Sequence, residues 1–345
     1  MEKLRVVTSS EVGFQRTWDD LLAQSKASPV YNSAHLEYYE ETSSREVVSD
    51  FSCVVLIDGT PIVGCLLMLC ESSNSKFSIS YLDNPGLFIA KEGVEPNLEA
   101  AISALSDHLF LQGLKKVALD KGVELDVVLP GPFLNRPAKL VSLLLEQADS
   151  LSPGFQRYVD FEQETASKVL EGITRVKSVR LALRQLEANR LETYVIDSTT
   201  GLDVVKESVQ ALKKLHFNAA KRATRSDHSW ALQERSIKRG QSFLILLKQS
   251  NLVLGGSLFI CGKDACYYGV SATEETSRNL SLGHLMMIAA LEYAAKKGYS
   301  KVWIGSQYSK PATKDSRKIE SIEKFKSYFG DALAFQLLVQ RGAQL

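Results

Sequence analysis

Apolar residues recur at two spacings along the chain, one typical of strands and the other typical of helices. The apolar segment 53–70 is interrupted by Asp58-Gly59, a dipeptide that favours a tight hairpin turn. The apolar segment 243–260 is interrupted in the same way by Gln249-Ser250-Asn251. The pattern therefore predicts one β-hairpin in each half of the chain.

Apolar residues three or four apart follow each predicted hairpin, and they predict a helix with one apolar side that packs on a sheet. Gly113 and Gly298 stand where these two helices should end, because glycine readily adopts the left-handed backbone conformation. Each glycine opens a Gly-x-x-Lys-Val sequence, and we predict strands at 116–119 and 302–304. The apolar helix positions are Leu98, Ile102, Leu105 and Leu109 in the first half, and Leu282, Leu285, Met286, Ala289, Tyr293 and Ala294 in the second.

The order of predicted elements is the same in both halves, and Gly64 and Gly256 hold matching positions in the two hairpins. Each half is long enough to bury a core of its own, so we predict two copies of one domain. Ser152-Pro153-Gly154 marks the boundary, which gives domains at 1–154 and 155–345. In the second domain, amphipathic spacing predicts one long helix or two over 162–191, followed by a helix over 204–220.

Composition narrows the class of protein. The chain has 345 residues, of which 45% are hydrophobic and 23% charged, with a net charge of +1, so a globular fold is expected and a general coat for nucleic acid or membrane is not. Its five cysteines lie in apolar runs without metal-ligand spacing, which predicts buried thiols. The longest apolar run, 62–70, is far shorter than the roughly 20 residues of a membrane span, and we expect a cytoplasmic protein.

The end of the chain carries the sharpest motif, Phe325-Lys326-Ser327-Tyr328-Phe329-Gly330. Together with the repeated layout, it resembles the Fem family of peptidoglycan-bridge aminoacyltransferases and its acyl-CoA-using relatives associated with exopolysaccharides. The resemblance implies an α/β (α+β) fold of two tandem GNAT-like domains, each a mixed, mostly antiparallel sheet flanked by helices. It also implies that the second domain binds the donor and that the first does not catalyse.

The resemblance implies a coenzyme A site at the start of the closing helix. GNAT enzymes cradle the pyrophosphate with backbone N–H groups at a helix N-terminus, where the helix dipole favours an anion. The matching residues are Arg278, Ser281, Leu282 and Gly283, although Ser281 stands where a glycine is usual. The alternative is that Ser281 caps the helix and Gly283 permits packing. The corresponding place in the first half, 94–98, has no glycine, so no coenzyme A is expected there.

GNAT-type transfer needs a base, an oxyanion partner and a route for the leaving thiolate, without a covalent intermediate. The resemblance places Lys326 near the transferred carbonyl, where its charge would stabilise the oxyanion; the alternative is a solvated surface lysine. His216 is the preferred general base, since imidazole titrates near neutral pH. Tyr308 could protonate the thiolate, and Gln307 and Tyr268 could hold the acceptor.

Three functions remain open from the sequence. The first is an N-acyltransferase that moves an acyl group from acyl-CoA to a small-molecule amine or nucleotide-sugar acceptor of a surface polymer. The second is a Fem-type ligase that uses aminoacyl transfer RNA, and the third is a scaffold without chemistry. The basic cluster Lys213, Lys214, Lys221, Arg222 and Arg225 could receive phosphates or could be a solvated face. No zinc, flavin, nicotinamide or P-loop motif occurs, so no metal or redox cofactor is expected.

Overall fold

The computed structural model describes residues 3–134, 138–162, 165–277, 280–308, 316–330 and 332–342. The first half of the chain contains β1 (Leu4–Thr8), α1 (Phe14–Ala23), a short 3-10 turn (Pro29–Tyr31), α2 (Ser33–Thr42), β2 (Arg45–Asp50), β3 (Cys53–Ile57), β4 (Thr60–Leu66), β5 (Met68–Ser72), β6 (Phe77–Ser80), β7 (Gly86–Ala90), α3 (Glu95–Leu111), α4 (Leu114–Leu119), β8 (Val123–Pro130), α5 (Gly131–Leu134) and α6 (Lys139–Glu146). A central strand follows, β9 (Ser150–Asp160).

The second half contains α7 (Ala166–Thr174), α8 (Lys177–Ala188), β10 (Leu191–Ile196), α9 (Leu202–Ala220), α10 (Asp227–Lys238), β11 (Ser242–Gln249), β12 (Leu252–Cys261), β13 (Ala265–Thr273), a 3-10 turn (Glu275–Ser277), α11 (Leu282–Lys297), β14 (Lys301–Tyr308) and α12 (Ser316–Ser327). The chain closes with a second central strand, β15 (Ala332–Arg341). The amphipathic region 162–191 therefore forms two helices rather than one.

The described strands form one continuous sheet in the order β1-β3-β4-β7-β8-β15-β9-β14-β13-β12-β11-β10, with β2, β5 and β6 branching from β8. Most neighbours are antiparallel, and the parallel pairs are β6 with β8, β7 with β8, and β13 with β14. Helices cover both faces. In the second half, α7, α8 and α11 cover one core and α9 and α10 cover the other. The predicted mixed, mostly antiparallel sheet flanked by helices is confirmed.

Both predicted hairpins form, and their matching glycines have the same physical role. Gly64 lies opposite Val54 in the first hairpin, and Gly256 lies opposite Leu246 in the second. A Cβ atom on Gly64 would lie 3.1 Å from the Leu21 side chain of α1, and one on Gly256 would lie 3.1 Å from the Leu212 side chain of α9. Each glycine thus lets a helix cross its hairpin closely.

The strand predicted at 116–119 is wrong, because those residues form the end of helix α4. Gly113 does end α3, with φ of 90°. The chain then makes a further helical turn because Leu114 and Ala118, four residues apart, are both buried in the core that also contains residues of α3 and α6. The first-half counterpart of β14 begins later, at Val123. The Gly-x-x-Lys-Val similarity therefore covers the helix stop but not the element after it.

Two strands from different parts of the chain join the halves. β15 pairs with β8 of the first half on one side and with β9 on the other, and β9 pairs in turn with β14. Arg341 at the end of β15 is buried and donates hydrogen bonds to the backbone carbonyls of Ala118, Asp120 and Val123. Residues 154 and 155 both lie inside β9, and the division at this boundary stays a prediction.

Direct contacts also link α2 of the first half to α10 of the second. The Tyr38 hydroxyl lies 3.0 Å from the Ser229 hydroxyl, and the Arg239 guanidinium lies 3.0 Å from the Glu37 carboxylate. All five cysteines are buried and free, as predicted. None of the described helices is both long and apolar enough to cross a membrane.

Candidate active site

The parallel strands β13 and β14 part from each other and leave a wedge between them. They pair over three residues of each strand: Ala265 lies opposite Lys301 at one end, and Tyr267 lies opposite Trp303 at the other. Beyond that point β13 continues beside β12, and β14 continues beside β9. The backbone N–H and C=O groups that would have joined the two strands face the wedge, where a ligand with matching polar groups could satisfy them.

Gly305 lies at the narrow end of the wedge. Its φ is 104°, a conformation that glycine adopts without steric cost, and the pairing of β14 with β9 shifts register at this residue. A Cβ atom on Gly305 would lie 3.2 Å from Nζ of Lys326 and 3.4 Å from the hydroxyl oxygen of Tyr267. A lysine amine and a phenol therefore converge on a position that has no side chain of its own.

Aromatic packing holds the helix that carries Lys326. The rings of Phe325 and Phe329 lie 5.2 and 5.6 Å from the ring of His284, which projects from α11. The two phenylalanine rings are 5.2 Å apart. Phe325 on α12 and Phe329 just after it thus fix α12 against α11, and Lys326 between them projects elsewhere.

The glycine after α12 is required by a close approach of two backbones. A Cβ atom on Gly330 would lie 2.8 Å from the carbonyl oxygen of Tyr158 and 2.9 Å from Cγ of Arg157. The Arg157 guanidinium donates a hydrogen bond to the Gly330 carbonyl. The Phe-Gly end of the motif therefore fixes the end of α12 on β9, and with it the position of Lys326.

Lys326 is half-buried rather than fully solvated. Burial lowers its pKa from the usual value, the nearby Arg157 cation lowers it further, and the Glu323 carboxylate opposes both effects. The causes are ordinary: a charge is less stable away from water, and like charges repel. An amine in this position can stabilise negative charge at the wedge more strongly than one in bulk water.

The adjacent tyrosines Tyr267 and Tyr268 point to opposite faces of β13, as alternation in a strand requires. Tyr268 packs in the core under α11 and α12, with its ring 5.4 Å from that of Phe259, and burial raises its pKa. Tyr267 packs with Trp303 on the other face, and its hydroxyl reaches Gly305. Sequence reasoning favoured Tyr268, whereas the structure places Tyr267 beside Lys326; the acceptor role of Tyr268 stays a prediction.

The predicted coenzyme A loop lies at the open end of the wedge and is described only in part. Arg278 lies outside the described residues. Ser281 occupies the N-cap position of α11, where its hydroxyl makes no capping hydrogen bond, and its N–H donates to the Gln185 side chain at 2.9 Å. Leu282 is buried, and a Cβ atom on Gly283 would lie 3.5 Å from the ring of Phe325. Gly283 therefore lies beneath α12, which agrees with the alternative that this glycine permits packing. Binding of the coenzyme A phosphates at Gly283 stays a prediction.

The remaining predicted residues are not brought to Lys326 by any described contact. The side chains of Gln307 and Tyr308 lie outside the described residues. His216 lies on α9, with Nδ1 3.1 Å from the Thr224 hydroxyl and its ring 5.8 Å from that of Trp230. Burial and the nearby Arg225 cation lower the pKa of His216.

His216 lines a groove of about 270 Å³ between α9 and the loop that follows it. The groove lies toward the far end of β13, because Leu212 packs over Gly256, which pairs with Ala272. Five residues of strand separate Ala272 from Tyr267, or roughly 17 Å. A role for His216 at Lys326 stays a prediction. The groove is lined by Gln210, Lys213, Lys214, His216, Phe217, Arg222, Ala223, Thr224, Arg225, Asp227 and Trp230.

No protein-family model matches the chain, and no curated protein matches it. Solved structures do. FemX is 13% identical, with 97% of each chain covered and a TM-score of 0.64. A conserved protein of unknown function from Bacteroides thetaiotaomicron is 11% identical over 99% of this chain and 100% of that one, with a TM-score of 0.56. L-PGS from Bacillus licheniformis is 9% identical over 91% of this chain and 93% of that one, with a TM-score of 0.50.

These likenesses are likenesses of fold, because the identities are low. They confirm that the chain has the tandem GNAT fold of the Fem type. Within the described residues, no three His, Cys, Asp or Glu side chains lie together in a way that could hold a metal ion.

Proposed function

We propose that this protein is an N-acyltransferase that moves an acyl group from coenzyme A to an amine. The observation that carries the proposal is the convergence of Lys326 and Tyr267 on Gly305, at the narrow end of the wedge between β13 and β14. A thioester carbonyl placed there would have a cation beside its oxygen and a phenol within reach.

The reaction then needs two bond changes. The neutral amine attacks the carbonyl carbon, a C–N bond forms, and the carbonyl oxygen becomes an oxyanion beside the Lys326 ammonium. The C–S bond then breaks, the carbonyl re-forms, and the thiolate takes up a proton, which the Tyr267 hydroxyl can deliver. The proton lost by the attacking nitrogen balances this transfer. Holding both reactants at the wedge accelerates the reaction further, because the reaction becomes effectively unimolecular.

The donor's phosphates would bind at the start of α11, at the open end of the wedge. Helix α11 is 16 residues long, so its dipole favours an anion at Ser281, Leu282 and Gly283. Because the Ser281 N–H already donates to Gln185, Leu282 is buried and Gly283 has no side chain, the contacts there would come from the backbone N–H groups of Leu282 and Gly283. The pantetheine arm would then follow the unpaired edges of β13 and β14 to Lys326.

The acceptor would approach from the face that carries Tyr267, which is also the face covered by α9 and α10. The groove beside His216 supports an acceptor with an anionic group, such as a nucleotide-sugar, because Lys214 and Arg222 line it. An amino sugar or amino acid precursor of a surface polymer fits this description. A transfer RNA donor is the alternative that the first experiment separates.

That experiment measures thermal unfolding with acetyl-CoA, with longer acyl-CoAs and with free coenzyme A. A ligand at about a hundred times its dissociation constant should stabilise the fold by roughly 2.7 kcal/mol. Gly283→Glu should abolish the shift, whereas Gly172→Glu, which adds the same charge at an open position on α7, should leave it unchanged. Lys326→Ala should keep binding and lose transfer. If no acyl-CoA stabilises the protein, the proposal fails and the donor must be sought among aminoacyl transfer RNAs.

A further inference from the structure

The two central strands expose an apolar stripe that no described helix covers. Leu151 and Phe155 on β9 are 50% and 36% exposed, and Leu333 and Phe335 on β15 are 45% and 43% exposed. Phe155 and Phe335 are direct cross-strand neighbours, with ring centroids 5.5 Å apart. Single exposed apolar residues are common, but a contiguous set on one surface points to a ligand or partner.

The stripe lies on the face of the sheet that carries α11 and α12. β9 and β15 pair without a register shift, so Phe155, Arg157 and Val159 share one face. Val159 is buried in the same core as Leu282 of α11 and Phe329. The stripe therefore lies on the side where the proposed donor site begins.

The stripe also starts beside the proposed active site. Leu333, Arg157 and Gly305 form one row across β15, β9 and β14. Phe335 and Phe155 form the next row, about 7 Å farther along the strands. Arg157 binds the Gly330 carbonyl at the end of the helix that carries Lys326. One end of the stripe is therefore polar and cationic, and the rest is apolar.

We infer that the stripe binds the apolar chain of the donor's acyl group, so that the natural donor is a medium- or long-chain fatty acyl-CoA. The inference rests on the proposed function. With the thioester carbonyl at Lys326, a chain can leave the wedge past Gly305, pass beside the side chain of Arg157, and continue over Leu333, Phe155 and Phe335. The stripe runs six residues from Arg157 to Leu151, roughly 20 Å, which an extended hydrocarbon chain can follow. An acetyl group would reach none of it.

The test compares acetyl-, octanoyl- and myristoyl-CoA below their micelle concentrations, with binding and kcat/KM measured for each. Each methylene that leaves water should improve binding by up to about fourfold. Phe335→Ser should lower kcat/KM for myristoyl-CoA at least tenfold and leave the value for acetyl-CoA unchanged, and Phe335→Leu should restore most of the loss. Leu252→Ser, which removes an exposed apolar side chain at a distant hairpin, should change neither value.

The outcomes separate the two proposals. The fatty acyl donor is overturned if acetyl-CoA and myristoyl-CoA are used with the same kcat/KM and Phe335→Ser behaves like Leu252→Ser. The proposed acyltransferase activity would then remain. The fatty acyl donor is equally overturned if acetyl-CoA is the better donor and chain length matters only in the amine acceptor. If no acyl-CoA binds or is used, the acyl-CoA function fails, and the inference fails with it.

Discussion

Substitution of Gly305 by alanine tests whether the wedge is the catalytic centre. At φ of 104°, alanine should cost roughly 1–2 kcal/mol, because its Cβ meets the backbone in this conformation. The new Cβ would lie 3.2 Å from Nζ of Lys326 and 3.4 Å from the Tyr267 hydroxyl. The amine is the end of a flexible side chain, so it can give way by a few tenths of an ångström. The stability loss should therefore come from the backbone, and the functional loss from the displaced amine.

Gly298→Ala provides a matched control. Gly298 has φ of 82° and nothing within 4 Å of its Cβ position, so alanine there meets the same backbone cost without a neighbour to displace. Both variants should lose similar unfolding free energy, measured with urea. Only Gly305→Ala should slow transfer, by about tenfold or more, since removing an oxyanion partner outright costs roughly a hundredfold to a thousandfold.

A readout that needs no substrate makes the comparison sharper. The reaction of Lys326 with an amine-specific reagent, followed across pH by mass spectrometry, reports the ionisation and exposure of that amine. Gly305→Ala should change the labelling profile of Lys326, and Gly298→Ala should not. Equal turnover and equal labelling in the two variants would refute the assignment of Gly305 and Lys326 to one site.

Three further predictions concern the surroundings of this site. Gly330→Ala should cost more than about 2 kcal/mol of unfolding free energy, because the Cβ would lie 2.8 Å from the fixed carbonyl of Tyr158; an unchanged urea midpoint would contradict the close approach. Arg341→Met should cost about 3 kcal/mol or more in the same measurement, since it strands buried backbone carbonyls around Asp120; a loss below about 1 kcal/mol would contradict that reasoning. The pKa of Lys326 is lowered, so an activity that needs its ammonium should be present below that pKa and lost as pH rises through it, at a lower pH than for an ordinary lysine. Lys326→Arg should move this alkaline limit upward in the pH–rate profile; a limit that does not move would assign it to another group.

The hairpins and their helices could be predicted because their signals are local. Asp58-Gly59 determines a turn, and Gly64 and Gly256 reveal the duplication. The strand predicted at 116–119 failed because a short apolar segment fits both periods, and only the surrounding core shows that Leu114 and Ala118 must face the same way. β15 was not predicted, since its partners β9 and β8 lie between 174 and 216 residues earlier in the chain.

The site could be predicted only where a motif marked it. Lys326 came from the Phe-Lys motif, and the structure adds its position at Gly305. The choice between Tyr267 and Tyr268 depends on which face borders the wedge, and two adjacent tyrosines in a strand give no sign of this. His216 was placed on the correct helix, but where it lies relative to Tyr267 depends on how α9 crosses the sheet.

The first half holds the region around Lys326 in place. Lys326 and Gly330 lie directly before β15, and β15 pairs along β8 and ends at Arg341, which is buried among carbonyls of the first half. On its other side β15 pairs with β9, whose Arg157 holds the end of α12. The position of the lysine is therefore set from both halves at once. The strand that follows α12 is completed within the sheet of the first half, so the first half contributes to the position of Lys326 whether or not it binds a donor.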